Sequence, residues 1–237
     1  REIGKVSLVI IDEAHRIRPD DEGMYNRLIN ELREVNPAIR VLGLTATPYR
    51  LTSGMLPAPD RVFTDIAYNA EYSRLQQAGW LSRVRVKVPR IGQADLSEVG
   101  IRAGEYIERD LEKAFNRSKL INSEVTELER WGESRKAWLV FCTTVAHAKA
   151  VAAELKERGH VNEVLDADTP GLFRDDIIDK FKAGKLKCIV NVGVLTEGFD
   201  APNVDLIGVL RATQSTGLWL QICGRGSRVL QEKRECL

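Results

Sequence analysis

The chain has 237 residues, 43% of them hydrophobic and 29% charged, with a formal net charge of +1, which is the composition of a globular protein with apolar side chains enough for one or two cores. No run of about 18 apolar residues occurs, so a membrane-spanning helix and a membrane partner are not expected. A charge near zero requires that any nucleic-acid partner be met by a local basic surface. Cys142, Cys188, Cys223 and Cys236 stand far apart with no C-x-x-C pair; no zinc ribbon is expected from them, and reduced thiols of a cytoplasmic protein are. Arg1 directly precedes a strand-like run, without a methionine or a signal peptide, so the sequence is expected to be cropped.

Lys5 to Ile11 form a nearly unbroken apolar, β-branched run, expected as a strand covered on both faces of a parallel sheet. Met24 to Val35 place Leu28, Ile29, Leu32 and Val35 at helical spacing, and Asn36-Pro37 stops the helix. "IRVLGLTATP" follows as a second buried strand, and strand, helix and strand in about 45 residues is the βαβ pattern of a parallel sheet. Residues 51–62 gather Ser, Gly and two prolines and read as an exposed connection. Ala70 to Ala78 is a short helix ended by Gly79. "SRVRVKVPR" then alternates, with Val84, Val86 and Val88 on one face and Arg83, Arg85 and Lys87 on the other. That is either a half-exposed strand with solvated charges or a strip that faces phosphates. Residues 91–118 are polar and poorly periodic and read as a bridge.

From Lys119 onward strand and helix alternate again. "AWLVFC" is a buried strand, and Thr144 precedes a helix carrying Val145, Ala148, Val151, Ala152 and Leu155, closed by Gly159. "VNEVL" is a strand; Thr169-Pro170 sets a cap before a first-turn proline; Ile177, Ile178 and Phe181 mark a helix ended by Gly184. "KCIVNV" and "VDLIGVL" are further strands. Three parts are expected: 1–66 and 119–237 as α/β domains, and 67–118 as a bridging segment.

Chemistry concentrates at two places. Asp12 and Glu13 sit just past the carboxyl end of the first strand, the edge where open α/β sheets bind ligands, so the pair is a candidate for holding Mg²⁺ and activating water; the plain alternative is an acidic turn opening a helix. Arg225 and Arg228 lie three apart, which puts them on one side of a helical turn from which a phosphate can be reached. The alternative there is two surface arginines on a helix end. Thr45 and Thr47 are either functional hydroxyls or caps of a turn. The cysteines and Trp219 read as packing residues.

"DEAH" (Asp12 to His15), "TATP" (Thr45 to Pro48), "LVFCTTVAHA" (Leu139 to Ala148), "VLTEGFDAP" (Val194 to Pro202) and "QICGRGSR" (Gln221 to Arg228) resemble helicase motifs II, III, IV, V and VI of superfamily 2, in the family's order. Within it, "NPAIRVLGLTATPYRL", "DTPGLFRDDIIDKFK" and "NVGVLTEGFDAPNVDLIGVLRATQS" are most similar to the bacterial RadD (YejH-like) group. The resemblance implies tandem RecA-like α/β domains, the first incomplete, that bind ATP and Mg²⁺ and act on nucleic acid, expected to be DNA, in repair with an unidentified protein partner. It implies that Asp12 holds Mg²⁺, Glu13 is the general base, and His15, Thr45 and Thr47 couple ATP state to the nucleic-acid site. Gly198, Asp200 and Gln221 approach the nucleotide, Arg225 helps bind it, Arg228 is the arginine finger, and Thr196 faces nucleic acid.

One departure stands out. The phosphate-binding loop G-x-x-x-x-G-K-[ST] does not occur: Gly4-Lys5 is followed by valine and Gly184-Lys185 by leucine, and neither can cradle phosphates. Truncation ahead of motif II is the expected reason, and the 237 residues alone are expected to be inactive; the final strand and zinc-binding tail of the resembled group are expected beyond Leu237. Two other readings stay open, a double-stranded DNA translocase of a restriction-type system and a non-catalytic interaction module that keeps the fold.

Overall fold

The computed structural model describes residues 4–17, 23–50, 54–58, 61–91, 93–102, 104–115, 117–196, 198–231, 233 and 235–237, without the side chains of Tyr49 and Arg50. The chain divides into two compact units, Arg1–Ala70 and Glu71–Leu237.

In the first unit, β1 (Leu8–Ile11), α1 (Met24–Val35) and β2 (Arg40–Gly43) make one βαβ crossover, and the strands pair in parallel from Leu8 opposite Arg40 to Ile11 opposite Gly43. α1 spans the residues that its apolar spacing predicts, buries Ile29 and Leu32, and ends at Asn36. The Asn36 side chain donates to the Val6 carbonyl at 2.7 Å, tying the helix end back to the start of β1. Gly43 is required by packing, because a Cβ there would lie 2.6 Å from the Phe63 ring and 2.8 Å from Ala14 Cβ. A two-residue-per-strand hairpin follows, β3 (Tyr49–Arg50) with β4 (Gly54–Met55). Of the connection expected over 51–62, residues 51–53, 59 and 60 lie outside the described ones, and Leu56 is buried. The expectation that the first strand is covered on both faces is corrected: it runs only over Leu8–Ile11, and Leu8 and Ile10 are 50% and 58% exposed. Among the described residues β2 is its one neighbour in the sheet.

The second unit begins with α2 (Tyr72–Gln77), followed by Gly79 at φ 78°, a left-handed turn that glycine makes without steric cost. β5 (Arg83–Val84) is shorter than its alternation predicts, and Val86 and Val88 are exposed. The reason is pairing: β5 has a partner only as far as Cys236, whose carbonyl accepts from the Arg85 amide at 2.9 Å. The segment 91–118, expected as an aperiodic bridge, contains a hairpin of β6 (Ile101–Arg102) and β7 (Glu105–Tyr106). It also contains α3 (Glu108–Phe115), which buries Leu111, Ala114 and Phe115.

Then come α4 (Ser118–Gly132), β8 (Trp138–Cys142), α5 (Val145–Glu157), β9 (Asn162–Leu165), α6 (Gly171–Lys182), β10 (Cys188–Asn191), β11 (Leu206–Leu210), α7 (Thr216–Gly226) and β12 (Glu235–Cys236). Four strands form one parallel sheet in the order β11-β8-β10-β9. β8 is buried along its whole length, as a central strand of a doubly covered parallel sheet must be. One face packs Trp138, Val140, Cys142 and Val190 against Val125 and Leu128 of α4 and Val151 and Leu155 of α5. The other packs Leu139, Phe141 and Ile189 against Phe181 of α6 and Ile222 of α7. Each such side chain contributes about 1.5–3 kcal/mol.

Thr144 caps α5 as predicted, its hydroxyl accepting from the His147 amide at 3.2 Å. At α6 the predicted arrangement shifts: Pro170 is itself the cap, and the Thr169 hydroxyl is occupied by Asp166 Oδ1 at 2.8 Å. His147 is fully buried with its Nε2 3.0 Å from Glu124 Oε2. Burial pushes the Glu124 carboxyl above its ordinary range, and the contact with His147 pulls the other way.

Candidate functional site

The acid pair begins where β1 ends. The backbone turns sharply there, and Glu13 takes a left-handed conformation, φ 48° and ψ 47°, the only non-glycine residue with positive φ among the described residues. Such a turn costs an L-residue about 1–2 kcal/mol, and it is held by a 3₁₀ turn over Ala14–Arg16 and by the Ala14 amide donating to the Leu44 carbonyl at 2.9 Å. The Glu13 amide donates to Asp12 Oδ1 at 2.8 Å, which orients the exposed Asp12 carboxylate.

His15 then links the two sequence motifs of the first unit. Its Nδ1 lies 3.0 Å from Thr45 Oγ1 and 3.3 Å from Glu13 Oε2. Thr45 Oγ1 in turn accepts from the Thr47 amide at 3.0 Å and donates to the Thr47 carbonyl at 3.2 Å; Thr47 is buried. Thr45 therefore caps its turn and contacts the histidine at once, so the two readings of its hydroxyl are compatible. Two adjacent carboxylates suit Mg²⁺, which binds one or two acids and completes its octahedron with water and substrate phosphate oxygens. No group of three or more acid, histidine or cysteine side chains that could hold a metal occurs among the described residues.

In the second unit the loop after β10 and the end of α7 come together. Gly198 turns at φ 66°. The Arg225 guanidinium donates to the carbonyls of Phe199 and of Thr196, the latter at 2.7 Å, so this arginine braces the loop that presents Asp200. Arg228 Nε lies 3.5 Å from Asp200 Oδ1, with the two side chains 49% and 65% exposed. The expected helical stacking of Arg225 and Arg228 is corrected, because α7 stops at Gly226 and Ser227 is its C-cap. Arg225 belongs to the last turn; Arg228 lies past it and is turned outward. Gln221 is half-buried on α7.

The three basic residues of the strip have different surroundings. Arg83 is exposed, Arg85 pairs with Glu235 Oε2 at 2.8 Å, and the Lys87 ammonium lies 4.9 Å from the centre of the Trp131 ring. Glu235 is shared with Arg135 at 3.2 Å. Sequence reasoning also missed Asp205, whose carboxylate accepts from the amides of Lys136 and Ala137, both at 2.9 Å, and Lys233, whose ammonium meets three carbonyls. All but the Lys233 contact with Gly226 join positions tens of residues apart, which leaves no local signature.

Residues 119–229 match the model of the helicase conserved C-terminal domain, and residues 2–50 match that of the type III restriction enzyme, res subunit. Over 94% of its length the chain superposes on Saccharomyces cerevisiae Dbp5 bound to RNA and ADP BeF3, with a TM-score of 0.52 at 18% identity over 51% of that chain. Over 99% it superposes on the ATP-dependent type ISP restriction-modification enzyme LlaBIII bound to DNA, with a TM-score of 0.65 at 16% identity over 18% of that chain. The chain has the α/β fold of the RecA-like helicases. In sequence it is 30% identical over 236 residues to the protein of Saccharomyces cerevisiae named "Putative ATP-dependent helicase IRC3", covering 98% of this chain and 33% of that protein. The chain spans about a third of the length of this relative. No helix among the described residues is long and apolar enough to cross a membrane.

Proposed function

We propose that the protein is an ATP-dependent superfamily 2 helicase or translocase acting on DNA. The observation that carries this is the acid pair at the end of β1, joined through His15 to Thr45: a water-activating carboxylate wired to the motif III hydroxyls is the arrangement that an ATP-driven motor needs. Phosphoryl transfer to water demands neutralised phosphates, a positioned water and cations that meet the charge of the transition state. Mg²⁺, when bound, supplies the neutralisation. Asp12 holds it and Glu13 takes the proton of the attacking water. Arg228, exposed beyond the end of α7 with its Nε 3.5 Å from Asp200 Oδ1, is the arginine that meets the phosphoryl group; Arg225 holds the carbonyls of Thr196 and Phe199 beside Gly198 and Asp200, which face the nucleotide, and Gln221 contacts it from α7. Thr196, Arg83, Arg85 and Lys87 are assigned to the nucleic-acid side. DNA as the substrate, and repair as its setting, rest on the resemblance to the RadD group.

Phosphate release by the intact protein, measured without nucleic acid and with DNA or RNA, tests the reading. DNA is expected to stimulate it most; stimulation by neither overturns the motor assignment. A second reading, a double-stranded DNA translocase of a restriction-type system, is favoured by the match of residues 2–50. It predicts triplex displacement without strand separation.

A further inference from the structure

α7 is held at both ends by charged side chains that lie outside it. At its start, Glu105 of the β6–β7 hairpin accepts from the Thr213 hydroxyl at 2.6 Å and from the Gln214 amide at 3.0 Å. The same network continues into the helix: Thr213 Oγ1 accepts from the Ser215 amide at 3.0 Å, and the Ser215 hydroxyl, the N-cap, accepts from Leu218 at 3.2 Å. At its other end, Lys233 Nζ donates to the carbonyls of Gly226 at 3.1 Å, Pro202 at 2.9 Å and Val204 at 3.2 Å. Three acceptors use the three N–H donors of an ammonium. Gly226 is the last residue of α7, and Pro202 and Val204 follow Asp200 on the loop that Arg225 braces.

The signs of the charges matter. The amide end of a helix carries partial positive charge and the carbonyl end partial negative charge, so a carboxylate before residue 216 and an ammonium at residue 226 both favour the helix as placed. Arg211, at the end of β11, is the cation beside Glu105 and Glu108. We propose that Glu105 and Lys233 are positioning residues that fix α7, and through it Gln221, Arg225 and Arg228, relative to the loop carrying Gly198 and Asp200. A shift of α7 along its axis breaks contacts at one end or the other. The functional part of this inference rests on the assignment of those three residues to ATP.

The test uses the intact protein with Glu105→Gln, Lys233→Met and Lys233→Arg, reading amide hydrogen exchange and the steady-state constants of ATP turnover with DNA. Exchange is expected to quicken at Gln214 to Leu218 in the first variant and at Arg225 to Ser227 in the second, while β8 and β10 keep their protection. Turnover is expected to fall about tenfold in kcat, a modest fraction of what misplacing a reacting group by about 1 Å costs, with DNA affinity unchanged and partial rescue by Lys233→Arg. Faster exchange with unaltered kcat overturns the positioning role, and unaltered exchange overturns the clamp itself. If Lys233→Met loses protection throughout β8 and β10, Glu105→Gln, which keeps the side-chain volume, decides. A wild-type protein with no ATP turnover sinks the functional assignment instead, and the clamp then stands or falls on exchange alone.

Discussion

The β-sheet of the second unit and the two-stranded pair of the first come from similar apolar runs, Trp138 to Cys142 and Leu8 to Ile11, and meet different surroundings. Each residue of β8 is at most 1% exposed, whereas Leu8 and Ile10 are about half exposed. An apolar, β-branched run predicts that a strand forms; whether its faces are covered depends on helices and strands elsewhere in the chain. The chemistry differs in the same way. In the first unit His15 joins the two candidate segments directly, through Glu13 and Thr45, while in the second Lys233 ties the end of α7 to the loop after Asp200, and Glu105 holds the start of α7.

The largest effect expected is on turnover. Arg228→Ala should cost about 10³-fold or more, the scale of an arginine finger, and should leave stability within about 0.5 kcal/mol because the side chain is exposed. Arg228→Lys should rescue poorly, since a point charge cannot reproduce the planar fork; full rescue in a steady-state assay would reduce the residue to a distant electrostatic role. Next in size, Leu139→Ala should destabilise the second unit by about 2–5 kcal/mol through the cavity it leaves. Ile10→Ala, at a half-exposed site, should cost under about 1 kcal/mol. Urea unfolding measures both, and equal losses would mean that β1 is covered in solution. Thr45→Val removes the hydroxyl that contacts His15, the Thr47 amide and the Thr47 carbonyl, each contact worth about 1 kcal/mol, and should lower DNA stimulation of turnover more than basal turnover.

The last prediction concerns acid. Burial raises the Glu105 carboxyl, but bonds from the Thr213 hydroxyl and the amides of Gln214, Tyr106 and Ser215 outweigh it and hold the group below its ordinary value of 4.5. Its contribution is therefore complete above that value and is lost as pH falls below it, through the depressed folded value. Exchange at Gln214 to Leu218 should quicken selectively in that window, and Glu105→Gln should remove the pH dependence.

What the sequence shows plainly is local. α1 and α5 follow from apolar spacing and stop or cap signals at Asn36 and Thr144, and β8 and β10 follow from short unbroken apolar runs. The α3 triplet of Leu111, Ala114 and Phe115 has helical spacing too, but five charged residues in eight mask it. The alternation over Arg83 to Val88 is misleading because strand pairing there depends on Glu235 and Cys236, more than 140 residues away. Arg225 and Arg228 have helical spacing, yet Gly226 and Ser227 end the helix between them. The DEAH acids were legible as a candidate site; the left-handed turn at Glu13 and the contacts of His15 Nδ1 with Glu13 and Thr45 needed the structure.

The most direct test of the account is Glu13→Gln in the intact protein, with ATP binding, DNA binding and phosphate release measured together. The amide keeps the shape of the carboxylate and cannot accept a proton from water. Dissociation constants for ATP and DNA are expected within about twofold of wild type, with phosphate release reduced by roughly 10²-fold or more, the contribution of a general base. Wild-type phosphate release from this variant would contradict the assignment of Glu13 and, with it, the reading of the acid pair as the catalytic end of the first unit.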